Sequence, residues 1–280
     1  MKVIECPRDA MQGIRTFIPT EKKIKYLNRL LKVGFDTLDF GSFVSPKAVP
    51  QMADTVEVLA GLETEKNTKL LAIIANTRGA EEASKYKAIN FLGFPLSLSE
   101  TFQQRNTNKS IKEAFETIKT ASEIAISTGK TLVVYLSMGF GNPYGDPFSP
   151  ALTVQFTEKL AKTGIRIISL ADTVGVADPK TIKMLFEALI PTYPEIEFGA
   201  HFHSNPMNIT QKLEAAFSAG CQRFDAAIKG FGGCPMAKDE LIGNMPTEKV
   251  LSFLQEKKRT ANINFAEFNK AYALANEIFP

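Results

Sequence analysis

The residues best suited to chemistry in this chain are His201 and His203, the only two histidines among its 280 residues. They follow the apolar-leaning run Pro194 to Phe198, which predicts a strand. In an extended chain, residues two apart point to the same face, so both imidazoles would reach one point in space. A divalent metal held by neutral nitrogen ligands requires that convergence. A strand whose histidines are merely satisfied by hydrogen bonds fits the same spacing, so the other polar residues must decide.

Those residues stand at the ends of further predicted strands. Arg8 and Asp9 lie in Cys6-Pro-Arg-Asp-Ala-Met-Gln12, where on their own they would read as a surface ion pair. A long mixed loop from Gly41 runs into a helix carrying Glu57, either a rim contact or a solvated helix residue. The stretch Ser137 to Asp146 is rich in glycine and proline and reads as a mobile lip. Asp172 follows a buried run, where an ionised carboxylate needs a cation or several donors, although capping the next helix is its plainer role. Last come the glycines around Cys234, then Gly243-Asn244. Glycines let a backbone approach a ligand closely, and a thiol near a metal and an arginine could act as an acid or base. An inert thiol in a tight turn is the alternative. Two imidazoles with an Asp carboxylate and an Asn carbonyl form a mixed nitrogen and oxygen set. It favours six-coordinate Mg²⁺ or Mn²⁺, with Zn²⁺, Co²⁺ and Ni²⁺ also compatible.

The elements that must position these groups alternate. Strands are predicted near Val3–Cys6, Thr37–Phe40, Leu70–Ala75, Ala88–Phe91, Thr131–Leu136, Arg166–Leu170, Glu197–Phe202 and Arg223–Ala227. Helical patterns lie near Glu21–Lys32, Val49–Leu62, Ala80–Tyr86, Ile111–Ser127, Pro150–Thr163, Pro179–Leu189, Pro206–Ala219 and Thr247–Glu256. Thr20, Ser110 and Asp178 are expected N-caps, and Gly34, Gly129, Gly164 and Gly220 expected C-terminal stops. Eight strand-then-helix units without a composition break predict one α/β domain over residues 1–280, a (β/α)₈ TIM barrel with an extra C-terminal helix near Phe265–Ile278. An open doubly wound sheet competes, but no Gly-x-Gly-x-x-Gly follows the first strand. In a barrel, the strand ends named above open onto a single mouth.

Composition narrows the partners. With 33 basic and 30 acidic side chains the net charge is +3, and no dense Lys/Arg run follows a nucleic-acid backbone, so a nucleic-acid partner is not expected. Cys6, Cys221 and Cys234 form no Cys-x-x-Cys and suit a reducing compartment. Apolar runs fall short of a membrane span, and a strand beginning at Lys2 leaves no room for a signal or transit peptide, so a cytoplasmic location is expected.

Together these segments resemble 3-hydroxy-3-methylglutaryl-CoA lyase, within the metal-dependent TIM-barrel lyases related to isopropylmalate synthases. The resemblance rests on Pro7-Arg-Asp-Ala-Met-Gln12, Ser42-Phe-Val-Ser-Pro-Lys-Ala-Val-Pro-Gln-Met-Ala-Asp54 with Glu57, Ser169-Leu-Ala-Asp172-Thr-Val-Gly175, His201-Phe-His203, and Gly232-Gly-Cys-Pro235 with Gly243-Asn244. It implies Asp9, His201, His203 and Asn244 as metal ligands and Arg8 as the neutraliser of charge on the thioester oxygen. Glu57 and Asp172 would position substrate and catalytic groups, and Cys234 would be an acid/base group on a closing loop. Asp172 or His201 would take the hydroxyl proton. The reaction implied is retro-Claisen-type cleavage of a tertiary 3-hydroxyacyl-CoA to acetyl-CoA and acetoacetate, by an enzyme that is commonly a homodimer. The chain departs from the family at Ala10-Met11, Phe202, Ser204, Asn142 and Lys238-Asp-Glu-Leu-Ile242. A lyase acting on another 3-hydroxyacyl-CoA therefore stays open, as do an acetyl-CoA-dependent synthase of the isopropylmalate or citramalate type and a metal- and acyl-CoA-binding barrel without turnover. The Gly-Gly-Cys-Pro segment and an end at Pro280, without the extra C-terminal region usual in the synthases, favour the lyase.

Overall fold

The computed structural model describes residues 1–64, 67–233, 242–259 and 262–279. Its chain runs β1 (Lys2–Glu5), α1 (Pro7–Gln12), α2 (Thr20–Leu31), β2 (Thr37–Ser42), α3 (Thr55–Ala60), β3 (Lys69–Ile73), α4 (Thr77–Ser84) and β4 (Ile89–Ser97). It continues through α5 (Glu100–Thr107), α6 (Ile111–Ser127), β5 (Thr131–Ser137), α7 (Pro150–Lys162), β6 (Ile167–Asp172), α8 (Pro179–Thr192) and β7 (Glu197–Ser204). The last elements are α9 (Ile209–Ser218), β8 (Arg223–Ala226), the two-residue β9 (Gly243–Asn244), α10 (Thr247–Glu256) and α11 (Phe265–Ile278).

Strands β1 to β8 pair in parallel, each with its successor, and β8 returns to β1 with Ile4 opposite Asp225. The sheet is therefore a closed (β/α)₈ barrel, as the alternating pattern predicts. Residue alternation splits each strand between two environments. On β7, Phe198, Ala200 and Phe202 join the apolar layer beneath the helices. Leu71, Ile73, Phe91, Val133, Tyr135 and Ile167 form a separate apolar cluster on the other face of their strands, inside the barrel. Helices cover the barrel with apolar stripes at helical spacing; on α6, Ala114, Ile118, Ala121 and Ala125 are fully buried. Helix α11 packs on α2, where Tyr26 meets Phe279 edge to face at 5.8 Å between ring centroids.

Helices α6, α10 and α11 fall on their predicted spans, and Ser110 and Asp178 cap as expected, Ser110 within a full capping box. Gly34, Gly129, Gly164 and Gly220 all take positive φ. Several expectations need correction. Pro19, not Thr20, is the N-cap of α2; the Thr20 hydroxyl instead donates to Asp54 at 2.8 Å. The single helix predicted over Val49–Leu62 is a short 3₁₀ turn at Pro50–Met52 followed by α3. Strand β4 extends through Pro95 to Ser97, and α1 and α5 arise in segments read as loops. The lip from Ser137 to Asp146 is anchored at its far end, where Asp146 accepts hydrogen bonds from the Ser99 hydroxyl and the Thr101 backbone at the start of α5.

Candidate metal centre

The site is assembled from α1, β7 and β9 at the C-terminal mouth of the barrel. Helix α1 begins at Pro7, with only Cys6 between it and the end of β1, and so turns Arg8 and Asp9 over the mouth. Strand β7 sends His201 and His203 inward, and β9 pairs antiparallel with it so that Asn244 lies opposite His203. Asp9, His201 and His203 each offer a ligand atom, all within 4.8 Å of one another, a separation that a single cation can bridge. His203 Nε2 stands 4.0 Å from Asp9 Oδ2.

Each member is held by neighbours. Asp9 Oδ1 accepts from Arg8 Nη1 at 3.0 Å and Gln12 Nε2 at 2.9 Å, while its Oδ2 accepts from Asn244 Nδ2 at 2.7 Å. The Asn244 amide also donates to the Phe231 carbonyl at 2.9 Å, so its nitrogen, not its oxygen, faces Asp9. Gly232 makes this approach feasible: it takes φ +99°, and a Cβ there would lie 2.6 Å from Asn244 Nδ2 and 2.9 Å from the Asp9 carbonyl oxygen. His201 Nδ1 lies 3.1 Å from Asp225 Oδ2 on β8, and its ring meets Tyr135 edge-on at 5.4 Å.

Electrostatics suit His203 in particular to ligation. Burial, reinforced by the nearby His201, pushes the His203 pKa down to about 4, so it is neutral at pH 7. Burial would lower His201 as well, but its hydrogen bond to Asp225 outweighs that and raises it. Burial raises Asp9, yet Arg8, the two histidines and Asn244 overcome it and hold the carboxyl at about 2. Arg8 Nε and Nη2 clasp Asp39 at 2.5–3.2 Å, and Arg8 Nη1 reaches Gln12 Oε1 at 2.8 Å. Burial lifts the Asp39 carboxyl against the pull of Arg8, to about 6, which leaves the pair ionised at pH 7. The mouth below these groups is a cavity of about 150 Å³, polar on the side of Arg8 and the histidines and apolar along Val44, Ala48, Val49 and Ile73.

Arg8, Asp9, His201, His203 and Asn244, named from sequence, thus meet at one mouth. Two other expected site residues do not. Asp172 faces away from the barrel interior: its Oδ2 accepts from Lys212 Nζ of α9 at 2.6 Å and its Oδ1 from the Ala177 backbone at 3.1 Å. Lys212 Nζ also donates to the carbonyls of His203 and Gly175, at 2.9 and 3.0 Å. Alternation on β6 explains the placement, since Ala171 lines the cavity and its neighbour must face outward. Glu57 lies on the exposed side of α3. Cys234 lies outside the described residues. Sequence reasoning missed Asp39, Asp225 and Lys212. Their one signal was a charged residue inside an otherwise apolar pattern, as in Thr37–Phe40 and Arg223–Ala227.

Comparison with known proteins agrees with this geometry. Residues 4–274 match the HMGL-like family model. A hydroxymethylglutaryl-CoA lyase of Bacillus subtilis is 32% identical over 95% of this chain and 88% of its own. A 3-hydroxy-3-isohexenylglutaryl-CoA/hydroxymethylglutaryl-CoA lyase of Pseudomonas aeruginosa is 33% identical over 89% of this chain and 82% of its own. The structure of an HMG-CoA lyase from Acinetobacter baumannii, in complex with coenzyme A and 3-methylmalate, superposes with a TM-score of 0.92 at 31% identity, covering 99% of this chain and 90% of that one. A barrel with Asp9, His201 and His203 gathered at its mouth, matched over nearly its whole length by these lyases, belongs to the HMGL-like family.

Proposed function

We propose that this protein is a divalent-metal-dependent carbon–carbon lyase that cleaves 3-hydroxy-3-methylglutaryl-CoA to acetyl-CoA and acetoacetate. The observation carrying this reading is the buried convergence of Asp9, His201 and His203 beside a fixed Arg8, in a chain 32–33% identical to lyases named for that reaction.

Asp9, His201 and His203 would hold the cation, with Asn244 Oδ1 joining when the amide turns from Asp9; Mg²⁺ or Mn²⁺ suits this set, and Zn²⁺, Co²⁺ and Ni²⁺ are compatible with it. A bound cation supplies Lewis acidity that lowers the pKa of the substrate's 3-hydroxyl. Neutral His203 can ligate at pH 7 without first losing a proton. Breaking the bond between C2 and C3 moves negative charge onto the thioester oxygen. Arg8, already clamped by Asp39, Asp9 and Gln12, meets that charge without reorganising. The apolar wall of Val44, Ala48, Val49 and Ile73 keeps water from the enolate. In this scheme Cys234 is the acid/base group: its thiolate takes the 3-hydroxyl proton as the bond between C2 and C3 breaks, and the thiol then returns it to C2. Asp172, with both carboxylate oxygens engaged behind the barrel wall, has no proton-accepting role here. The free thiols Cys6 and Cys221 accord with a cytoplasmic enzyme, which we read as a homodimer.

The test is acetyl-CoA release from purified protein given HMG-CoA with Mg²⁺ or Mn²⁺, beside a His203→Ala control and a small panel of other 3-hydroxyacyl-CoA thioesters. Metal-dependent release from HMG-CoA, lost in the control, is the expected result. Release from another thioester alone would move the substrate and keep the mechanism. Absence of release from all of them, with metal bound, would overturn the lyase reading.

A further inference from the structure

His201 has two nitrogens, and a ligand site needs the right one. His201 and Asp225 are register partners on the adjacent parallel strands β7 and β8, both directed into the barrel. His201 Nδ1 lies 3.1 Å from Asp225 Oδ2, and Asp225 is 1% exposed. The same Oδ2 accepts from the Ser169 hydroxyl at 3.4 Å, and Arg223 Nε lies 3.9 Å from Oδ1, so three strands lodge this carboxylate. We propose that Asp225 is a positioning residue for His201, fixing its Nδ1–H tautomer so that Nε2 is the nitrogen offered to the cation.

An ionised carboxylate accepts hydrogen bonds and donates none, so its contact with Nδ1 requires the proton to sit there. In the neutral ring the lone pair is then on Nε2. The edge-on contact with Tyr135 limits rotation of the ring, leaving the tautomer as the remaining freedom. A hydrogen bond of this kind also raises the basicity of the ligating nitrogen. Cys6, His201 and Asp225 form a second group whose ligand atoms lie within 4.8 Å of one another, which suggests a second cation as the competing use of Asp225. The hydrogen bond at Nδ1 already occupies that nitrogen, and the Cys6 thiol lies 3.7 Å from the Ile4 carbonyl as its donor. Among the described residues this leaves one cation site.

This inference rests on the metal reading above, and the experiment separates the two. Because the chain has only two histidines, ¹⁵N-histidine labelling reports two imidazoles and nothing else. In metal-free wild type, at a pH where both rings are neutral, long-range ¹H–¹⁵N correlations should show His201 as the Nδ1–H tautomer, assigned by comparison with His203→Gln. Mn²⁺ binding measured by calorimetry should give one ion per chain, with affinity reduced about 10- to 100-fold in Asp225→Ala. The near-isosteric Asp225→Asn should shift His201 towards the Nε2–H form and weaken binding as well; it covers the case in which Asp225→Ala fails to fold. An Nε2–H tautomer in wild type, unchanged affinity in the folded variants, or two ions per chain would each overturn the proposal. Failure of wild type to bind Mn²⁺ or Mg²⁺ at all would instead overturn the metal reading beneath it.

Discussion

Asp172 and Lys212 supply the most exacting test of how this barrel is built. Lys212 is fully buried and Asp172 is 1% exposed, and the pair is closed at 2.6 Å. In Lys212→Met the Asp172 carboxylate becomes a lone buried charge, and the carbonyls of Gly175 and His203 lose their donor. Removing one partner of a buried pair costs about 3–5 kcal/mol. The two orphaned carbonyls add about 1 kcal/mol each. Such a loss is a large share of the roughly 5–15 kcal/mol that holds a folded protein together. Asp172→Asn keeps the shape but strands the ammonium, at a cost of about 3 kcal/mol. The double variant removes both charges and should fall short of the summed losses by about 2 kcal/mol. Urea unfolding at pH 7 measures this, with chelator present so that metal binding does not contribute. Far-ultraviolet circular dichroism is the suitable probe, because the chain has no tryptophan. Single variants within 1 kcal/mol of wild type, together with loss of turnover in Asp172→Asn, would refute the outward ion pair and restore Asp172 to the substrate side.

Other expectations follow from the same geometry. Glu5 is fully buried, accepts from the Ile228 backbone at 2.9 Å and the Thr247 hydroxyl at 2.6 Å, and is pushed by burial from 4.5 up to about 8. Between those values the unfolded chain has released a proton that the folded one retains, so stability should fall as pH rises from about 4.5 to 8, by on the order of 4 kcal/mol from this group. Chemical unfolding of Glu5→Gln across that window should lack this slope; a wild-type slope retained in the variant assigns it elsewhere. Arg8→Lys cannot reproduce the fork on Asp39 with its further contacts to Asp9 and Gln12, so kcat for acetyl-CoA release should drop about 100-fold or more, with Mn²⁺ affinity less affected. Glu57→Gln, on the exposed side of α3, should leave stability within about 0.5 kcal/mol and turnover near wild type; a large loss of turnover would return Glu57 to the site.

The barrel was legible because each unit carries its own local instructions. Ser110 with Glu113, Asp178 before Pro179, and glycines at the helix ends act over a few residues, and the structure keeps them. The His201/His203 pair was legible for the same reason, since the two-residue period of a strand needs no partner to define it. What stayed hidden depended on the other face of each strand. Barrel strands are buried on both sides, so Ile-Ile-Ser-Leu-Ala before Asp172 shows no alternation from which to tell inside from outside. A carboxylate at that strand end reads equally as a group facing substrate or as half of a buried ion pair.

The sequence by itself determined the (β/α)₈ order, the helix boundaries set by caps and glycines, and the gathering of Arg8, Asp9, His201, His203 and Asn244 at one mouth. Only the tertiary structure decided which charges answer one another: Arg8 with Asp39, His201 with Asp225, and Asp172 with Lys212, pairs 31, 24 and 40 residues apart. The physical reason is that partners at such separations are chosen by the register and closure of the sheet and by how the helices seat on it, a property of the whole barrel, whereas caps and strand periods are settled within a turn or two of chain.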